Sequence, residues 1–379
     1  MESEDLKPPI WLDRPGGLAR AAANLAACSV LAVDTESNSL YAYQEQVCLI
    51  QFSTPSQDFL IDPLAIQDLS VLEPIFSNPD IEKTFHAAEY DLICLKRDFG
   101  FRFNNLFDTM IAGRILGRQV VGLSGMLEEE FGIVLDKRYQ RADWGQRPLP
   151  PAQLAYARLD THYLLALRDR LKEQLIVAGR WEMAQEDFQR MCHVNGNARS
   201  EEDGLDACWR IPGVQDLDPQ RVAVLQLLCQ FRDAHARILN RPAFKVMSNQ
   251  VLLEIARACP LTFQELAEIP GLSERQGQRY GREILKTVQE GLASPPLVKP
   301  SNPRPDERFL LRLEALRAWR KHTAQQIGVE SDVILPRDVM FAIAEANPRS
   351  GGELRAVMEL LPWRLERYGD QILKAIHSR

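Results

Sequence analysis

The sequence lacks several features that would place it in a class at once. It has no run of 18 apolar residues, so we expect no membrane-spanning helix. Its first residues, MESEDLKPPIW, are acidic and contain no apolar core, so no secretory signal is predicted. None of its seven cysteines forms a C-x-x-C pair, which argues against a disulfide framework and against a zinc site. These absences predict a cytoplasmic protein with reduced thiols.

The chain also lacks the excess of positive charge that is typical of generic polyanion binders. Its formal net charge is −7 at pH 7. It does have length and apolar content, with 379 residues of which 45% are hydrophobic. That is enough for two or three domains, each with its own core. No pattern in the sequence indicates an obligate protein partner.

The most informative stretch is Leu-Ala-Val-Asp-Thr-Glu, which ends in Asp34 and Glu36. The apolar residues before the two acids favour a buried strand, and residues two apart in a strand point to the same face. Carboxylates placed in this way repel each other and lose hydration unless a cation lies between them. Mg²⁺ prefers such oxygen ligands. A strand that simply ends in polar residues would look the same.

Two later segments supply acids that could join this pair. Asp91 follows a short predicted strand and lies in the first turn of a helix, where the helix dipole would also favour a negative charge. Tyr156 and Asp160 are four residues apart on a long helix predicted over residues 152–177, so they share one helix face. Each of these residues, taken alone, has an ordinary structural explanation.

The loop over residues 137–151 is basic, aromatic and proline-containing. Basic residues between aromatic rings suit single-stranded nucleic acid, because phosphates pair with the cations and bases stack on the rings. A solvated loop explains the composition equally well. The candidate RNA-binding residues are Lys137, Arg141, Trp144 and Arg147 in this loop, and Arg279 farther along the chain.

The order and spacing of five residues resemble the tyrosine-bearing subclass of the DEDD exonuclease superfamily. These residues are Asp34, Glu36, Asp91, Tyr156 and Asp160. The stretch LDKRYQRADWGQRPL, which begins at Leu135 and ends at Leu149, is similar to the ribonuclease D family. The resemblance covers roughly residues 15–190, and all five signature positions are present.

This resemblance implies an α/β domain of ribonuclease H-like type, in which helices flank a mixed sheet. It also implies two divalent ions, Mg²⁺ or Mn²⁺, one to activate a water and one to steady the leaving oxygen. Tyr156 would orient the attacking water, since a phenol with a pKa near ~10 is a poor base at neutral pH. The expected ligands of the ions are Asp34, Glu36, Asp91 and Asp160.

The C-terminal part contains an internal repeat with a constant offset of 88 residues, from Leu252 to Met340 and from Arg279 to Arg367. A gap-free repeat of this size predicts two copies of one small domain. The spacing of the apolar residues predicts that each copy is an all-helical bundle. The expected organisation is an exonuclease domain at 1–195, a first helical domain at 210–293, a linker at 294–305 and a second helical domain at 306–379.

The repeated units resemble the HRDC domain, the helicase-and-RNase-D C-terminal module, which binds nucleic acid and acts as a scaffold. The first copy carries the Ile-Pro-Gly-Leu segment that ends at Leu272, whereas the second copy has Val-Met-Glu-Leu, ending at Leu360, and lacks the glycine. Neither copy adds a candidate nucleophile, so both should influence binding rather than chemistry. They could also be packing modules without any ligand contact.

The sequence therefore predicts a metal-dependent 3′–5′ exoribonuclease that releases nucleoside 5′-monophosphates. The resemblance implies tRNA precursors and other small structured RNAs with short 3′ tails as substrates, with the two helical modules forming a clamp beside the catalytic domain. Two other classes of protein remain open. One is a 3′–5′ DNA exonuclease of the same superfamily, and the other is a catalytically silent RNA-binding scaffold.

Overall fold

The computed structural model of the chain forms two compact units. The predicted domain boundary after residue 195 and most of the predicted linker lie outside the described residues. None of the described helices is long and apolar enough to cross a membrane. The structure describes residues 7–195, 207–298 and 306–377. Of these, the first unit contains 7–37, 47–195 and 306–377. The second unit contains 38–46 and 207–298.

A six-stranded mixed sheet forms the centre of the first unit. Its strands lie in the order β1-β4-β3-β2-β5-β6; β3 runs antiparallel to β2 and β4, and the other neighbours are parallel. This sheet confirms the predicted α/β fold. The strands are β1 (Ile10–Leu12), β2 (Val30–Ser37), β3 (Val47–Ser53), β4 (Asp58–Ile61), β5 (Glu82–Phe85) and β6 (Leu106–Asp108).

Strand β2 begins in the core and leaves it at Asp34. Its residues Leu31, Ala32 and Val33 are completely buried, whereas the residues from Asp34 onward are partly exposed. Because β2 lies between β3 and β5, this exit point is near the middle of the sheet rather than at an edge. The local sequence thus places the first two acids where a buried strand meets solvent.

Eight α-helices lie within the described residues 7–195 of the first unit, besides a short 3₁₀ helix at Ser70–Leu72. On one face of the sheet, side chains such as Leu18, Phe76 and Leu92 share a core with β2 and β3. On the other face, Ala157 packs with Trp144 over β3 and β4. The helices are α1 (Pro15–Ala26), α2 (Glu73–Ser77), α3 (Glu89–Phe99), α4 (Thr109–Ile115), α5 (Leu123–Phe131), α6 (Pro151–His162), α7 (Leu164–Val177) and α8 (Trp181–Cys192).

The prediction of one helix over residues 152–177 is wrong, because the chain breaks at Tyr163 into α6 and α7. Helix α6 packs on β2, β3 and β4, whereas α7 packs mainly on α4, β2 and β5. The end of α6 is held to the sheet, since His162 Nδ1 lies 2.9 Å from a carboxylate oxygen of Asp58. Strands β1 and β6 were not predicted, because each has only three residues and depends on its neighbour in the sheet.

The second unit is a helical bundle with its own core, which contains Leu225, Leu252 and Ile284. It also includes residues 38–46, which connect β2 to β3. In that connection, the Tyr43 hydroxyl donates a hydrogen bond of 2.7 Å to Asp233. The helices of the bundle are α9 (Pro219–Ile238), α10 (Ala243–Val246), α11 (Asn249–Ala258), α12 (Phe263–Ala267) and α13 (Glu274–Ala293).

The second helical repeat belongs to the first unit and shares a core with its exonuclease part. Phe107 and Phe188 lie in the same apolar cluster as Leu316 and Ile343 of the repeat. Both copies of the repeat are all-helical, as predicted. The helices of this copy are α14 (Glu307–Ile327), α15 (Ser331–Ile334), α16 (Arg337–Ala346), α17 (Gly351–Val357) and α18 (Pro362–His377).

Candidate active site

Three of the four predicted metal-binding acids meet at the exposed end of β2. Asp34 and Glu36 project from β2 and Asp160 from α6, and one carboxylate oxygen of each lies within 4.8 Å of the others. We call these residues the three-acid group. Within the described ranges, no other set of three or more histidines, cysteines or acids has this spacing.

The fourth acid, Asp91, lies near the three-acid group but does not belong to it. It is buried in the first turn of α3, and its carboxylate accepts a hydrogen bond from the Thr35 hydroxyl. Its charge still acts on the group. Burial raises the pKa of Asp34 and Glu36 well above the usual range, and the nearby charges, including that of Asp91, raise it further.

The four carboxylates cannot all carry a charge in this place without a compensating cation. Burial raises the pKa of Asp91 to about 7 and that of Asp160 to about 7 as well. Buried like charges disfavour ionisation of each other unless an opposite charge neutralises them. A set of ligands made only of anionic oxygens suits a hard divalent cation. The residues present therefore fit a divalent metal site.

Tyr156 is positioned as a hydrogen-bond donor at this site. Burial and the charge of Asp160 raise the pKa of its phenol, which donates a hydrogen bond to Asp160. The ring is held in place by Tyr139 and Trp144, with ring centroids 5.9 Å and 6.1 Å away. The phenol is therefore protonated at neutral pH, which agrees with the expectation that it does not act as a base.

Sequence reasoning missed Gln51, which lies directly opposite Asp34 in the pairing of β2 with β3. The side chain is completely buried, and its Nε2 lies 3.5 Å from Asp34 Oδ2. Its Oε1 has no hydrogen-bond partner among the described residues. The signal was a polar residue in the otherwise apolar strand Val-Cys-Leu-Ile-Gln-Phe. A buried amide there needs a polar neighbour.

The prediction that Trp144 offers its ring to an RNA base is wrong, because the side chain is only 1% exposed. Arg147 is also engaged within the protein, since its Nε and Nη2 lie 2.7 Å and 2.6 Å from the two carboxylate oxygens of Asp62. Both residues hold the 137–151 loop against the sheet. Lys137 and Arg141 of the same loop are exposed. In the second unit, Arg279 is exposed and its guanidinium lies 5.2 Å from the Tyr280 ring centre.

Comparison with known families assigns both parts of the chain. Residues 9–176 match the family described as 3′-5′ exonuclease. Residues 221–288 and 310–376 match the HRDC domain. The acid site thus lies in the segment that matches the exonuclease family, and both helical repeats lie in segments that match the HRDC domain.

Similarity to individual proteins shows which exonuclease family the chain belongs to. Ribonuclease D of Pseudomonas paraeruginosa is 30% identical over 97% of this chain and 97% of that protein. The exosome complex exonuclease RRP6 of Saccharomyces cerevisiae is 34% identical over 68% of this chain, but the chain spans only 37% of its length. It spans 31% of the RRP6-like 3 protein of Arabidopsis thaliana, which is 32% identical. The chain belongs to the ribonuclease D family.

Solved structures agree with this assignment. The crystal structure of RNase D from Escherichia coli, an exoribonuclease involved in structured RNA processing, superposes with a TM-score of 0.71 at 26% identity. The match covers 98% of this chain and 99% of that one. The catalytic core of RRP6 from Trypanosoma brucei gives a TM-score of 0.67 at 28% identity and covers 77% of this chain and 82% of that chain. Both matches confirm the predicted fold class.

Proposed function

We propose that the chain trims the 3′ tails of tRNA precursors and other small structured RNAs and releases nucleoside 5′-monophosphates. The observation that carries the proposal is the convergence of Asp34, Glu36 and Asp160 within 4.8 Å, with Tyr156 bound to Asp160. Membership of the ribonuclease D family supports RNA as the polymer. A cytoplasmic location would suit these substrates.

The residues of the site have separable roles in this proposal. Two divalent ions, Mg²⁺ or Mn²⁺, would be held by Asp34, Glu36, Asp91 and Asp160. When bound, such ions lower the pKa of a coordinated water and neutralise charge on the reacting phosphate. Tyr156 donates its hydroxyl proton to Asp160, and its oxygen would accept a hydrogen bond from the attacking water and so orient that water. Because burial and neighbouring charges raise its pKa, it does not take the proton of that water.

RNA would be held mainly by exposed cations. Lys137 and Arg141 lie on the loop that precedes α6, the helix that carries Tyr156 and Asp160. The first HRDC domain presents four exposed cations on one face of α13, because they recur every three or four residues. We call them the α13 stripe, and they are Arg275, Arg279, Arg282 and Lys286.

The decisive experiment uses the full-length protein with end-labelled RNA and DNA of equal sequence, in EDTA, Mg²⁺ or Mn²⁺. We expect stepwise shortening of RNA from the 3′ end, no hydrolysis in EDTA, and recovery with either metal. Asp34→Asn or Asp160→Asn should each lower kcat by several orders of magnitude, because residues of such a site act as a unit. Asp68→Asn, a change of an exposed acid, should keep wild-type activity.

Three results would argue against this proposal. Near-normal turnover by Asp34→Asn or Asp160→Asn would contradict the metal-site assignment. Equal or faster shortening of DNA would favour the DNA exonuclease. Tight binding of RNA without any shortening under every metal condition would favour the non-catalytic scaffold.

A further inference from the structure

Thr35 links Asp91 to the three-acid group at the end of β2, although it is not itself acidic. It lies between Asp34 and Glu36 in the sequence, so its side chain leaves the opposite face of the strand. Leu31 and Val33, which point the same way as Thr35, share a core with α3. Thr35 therefore continues the row of side chains that faces α3.

Asp91 approaches the site from that same side. It lies on α3, next to Leu92, which packs into the core shared with Leu31 and Val33. By contrast, Asp34 and Glu36 meet Asp160 of α6, a helix that packs on the other face of the sheet. At the end of β2 the carboxylate of the fourth acid accepts a hydrogen bond from the Thr35 hydroxyl, and it also accepts backbone hydrogen bonds from Thr35 and from its own N–H.

The contact is suited to fixing the direction of the Asp91 carboxylate. An aspartate carboxylate can rotate about two side-chain bonds, and Asp91 is 7% exposed, so water cannot easily replace a lost donor. Hydrogen bonds from neutral or charged groups outside a metal centre commonly orient the ligands of the metal, and their loss typically costs 10–100-fold in affinity or activity.

We propose that Thr35 is a positioning residue for Asp91: its hydroxyl fixes where the Asp91 carboxylate stands relative to the three-acid group and thereby completes the divalent-cation site. The inference rests on the proposed exonuclease function. It assigns to Thr35 no contact with RNA and no part in proton transfer.

The test compares Thr35→Val, which keeps the shape but lacks the hydroxyl, with Thr35→Ser, which keeps the hydroxyl. Mn²⁺ binding is measured by calorimetry without RNA, and kcat and KM are measured on a short unstructured RNA. We expect Thr35→Val to weaken Mn²⁺ binding and to lower kcat by roughly 10–100-fold, with KM little changed. Thr35→Ser should restore both quantities to near wild-type values.

Thr84→Val is the matched control. Thr84 lies on β5, the neighbour of β2, and is also completely buried, but its hydroxyl has no hydrogen-bond partner among the described residues. Replacing it with a methyl group of the same shape should leave Mn²⁺ binding and kcat unchanged. In addition, Thr35→Val should have little effect in the Asp91→Asn background. If Thr35 acts only through the Asp91 carboxylate, its contribution to Mn²⁺ binding and kcat is already absent once that carboxylate has been replaced.

The inference is overturned if Thr35→Val keeps wild-type Mn²⁺ affinity and kcat, or if Thr84→Val loses as much as Thr35→Val. If Thr35→Val does not fold, Thr35→Ala with Thr35→Ser as its partner decides the same question. Because Mn²⁺ binding is measured without substrate, an error in the proposed RNA substrate leaves this test intact. A wild-type chain that binds no Mn²⁺ would overturn the proposed function and this inference together.

Discussion

At the scale of single residues, Tyr156 shows how burial selects one role for a side chain that has several. A phenol can donate a hydrogen bond or, when ionised, accept a proton. Here burial and the charges of Asp160 and Glu36 disfavour the ionised form. The residue therefore supplies a fixed donor at the three-acid group.

Tyr156→Phe should lower kcat by roughly 10²-fold, because one oriented donor at the reacting centre is lost. RNA binding and Mn²⁺ affinity should stay close to wild type, since the phenyl ring can still pack against Trp144. Tyr139→Phe is the control, because Tyr139 packs on the same ring without a described bond to an acid. Single-turnover kinetics would measure the effect, and a Tyr156→Phe protein with full kcat would show that the ring only packs.

The acids also predict how pH changes the stability of the metal-free protein. The folded pKa of Asp91 and Asp160 is about 7, whereas an unfolded aspartate titrates near ~3.9. Between these values the folded protein binds more protons than the unfolded chain, so the two residues lower the free energy of unfolding as pH rises from about 4 to about 7. Mg²⁺ or Mn²⁺ should reverse this loss at pH 7.5 and have little effect at pH 5.

Thermal melts in EDTA and in excess metal, from pH 5 to 7.5, would measure this effect. Other carboxylates titrate in the opposite sense, such as Asp58, whose hydrogen bonds to His162 and Ser53 lower its pKa despite its burial. The comparison is therefore with Asp91→Asn/Asp160→Asn, which should lose this part of the pH dependence. An unchanged pH profile in that double variant would show that the two acids do not titrate near neutral pH.

At the scale of elements, the two HRDC copies use the same position of their last helix in different ways. In the second copy, the start of α18 packs against α8. The backbone N–H of Trp363 donates a hydrogen bond to the Glu186 carboxylate. The Arg364 side chain is completely buried, and its Nη1 and Nη2 each lie 2.7 Å from a carboxylate oxygen, of Glu186 and of Asp187 respectively. At the equivalent positions α13 carries an exposed arginine and a glutamine. The packing interpretation is thus supported for the second copy.

Arg364→Met should destabilise the first unit by about 3–5 kcal/mol, because the buried carboxylate of Glu186 would lose its cationic partner and Asp187 would keep only its longer ion pair with Arg190. Asp338→Ala is the control at the same contact. It removes an ion pair with Arg190 in which Asp338 is 71% exposed, so the expected loss is under about 1 kcal/mol. Urea denaturation of the full chain would compare them, and equal losses in the two variants would contradict the role given to Arg364.

At the scale of the whole molecule, a truncation after residue 195 would not separate binding from catalysis. It would remove α14 to α18, which share an apolar core with Phe107 and Phe188 of the exonuclease part. The prediction that the HRDC modules act on binding is therefore better tested by surface substitutions. The predicted clamp beside the catalytic domain stays a prediction.

Replacing all four residues of the α13 stripe with glutamine should raise KM for a tRNA with a 3′ tail, while kcat on a short oligomer stays near wild type. Each phosphate contact that is lost should also reduce the dependence of binding on salt, because fewer counterions are released. Arg367→Gln/Lys374→Gln in α18 replaces the equivalents of Arg279 and Lys286, so it is the matched control for Arg279→Gln/Lys286→Gln in α13 and should have a smaller effect than that pair. Equal effects of the two sets on both substrates would contradict a binding role specific to α13.

Local sequence patterns determined several secondary-structure features and the repeated helical domains of this protein. A buried apolar run before Asp34 and Glu36 predicts a strand that ends in paired carboxylates, and the 88-residue repeat predicts two helical domains. Asp108 caps α4 as its sequence position suggests, since its side chain accepts from the N–H groups of Met110 and Ile111. The strand end and the helix cap depend on residues that are close in the sequence, and the two helical domains are visible as a direct repetition. A single sequence is therefore enough to predict them.

Only the tertiary structure decided which polar groups meet across the sheet. Thr35 and Asp91 are 56 residues apart, and Arg364 and Glu186 are 178 residues apart, so no local pattern announces either contact. The burial of Trp144 likewise depends on α6 and β3, which close over it only when the sheet has formed. Long-range packing determines whether a basic or aromatic side chain is a surface for RNA or a part of the core, because exposure is a property of the assembled fold.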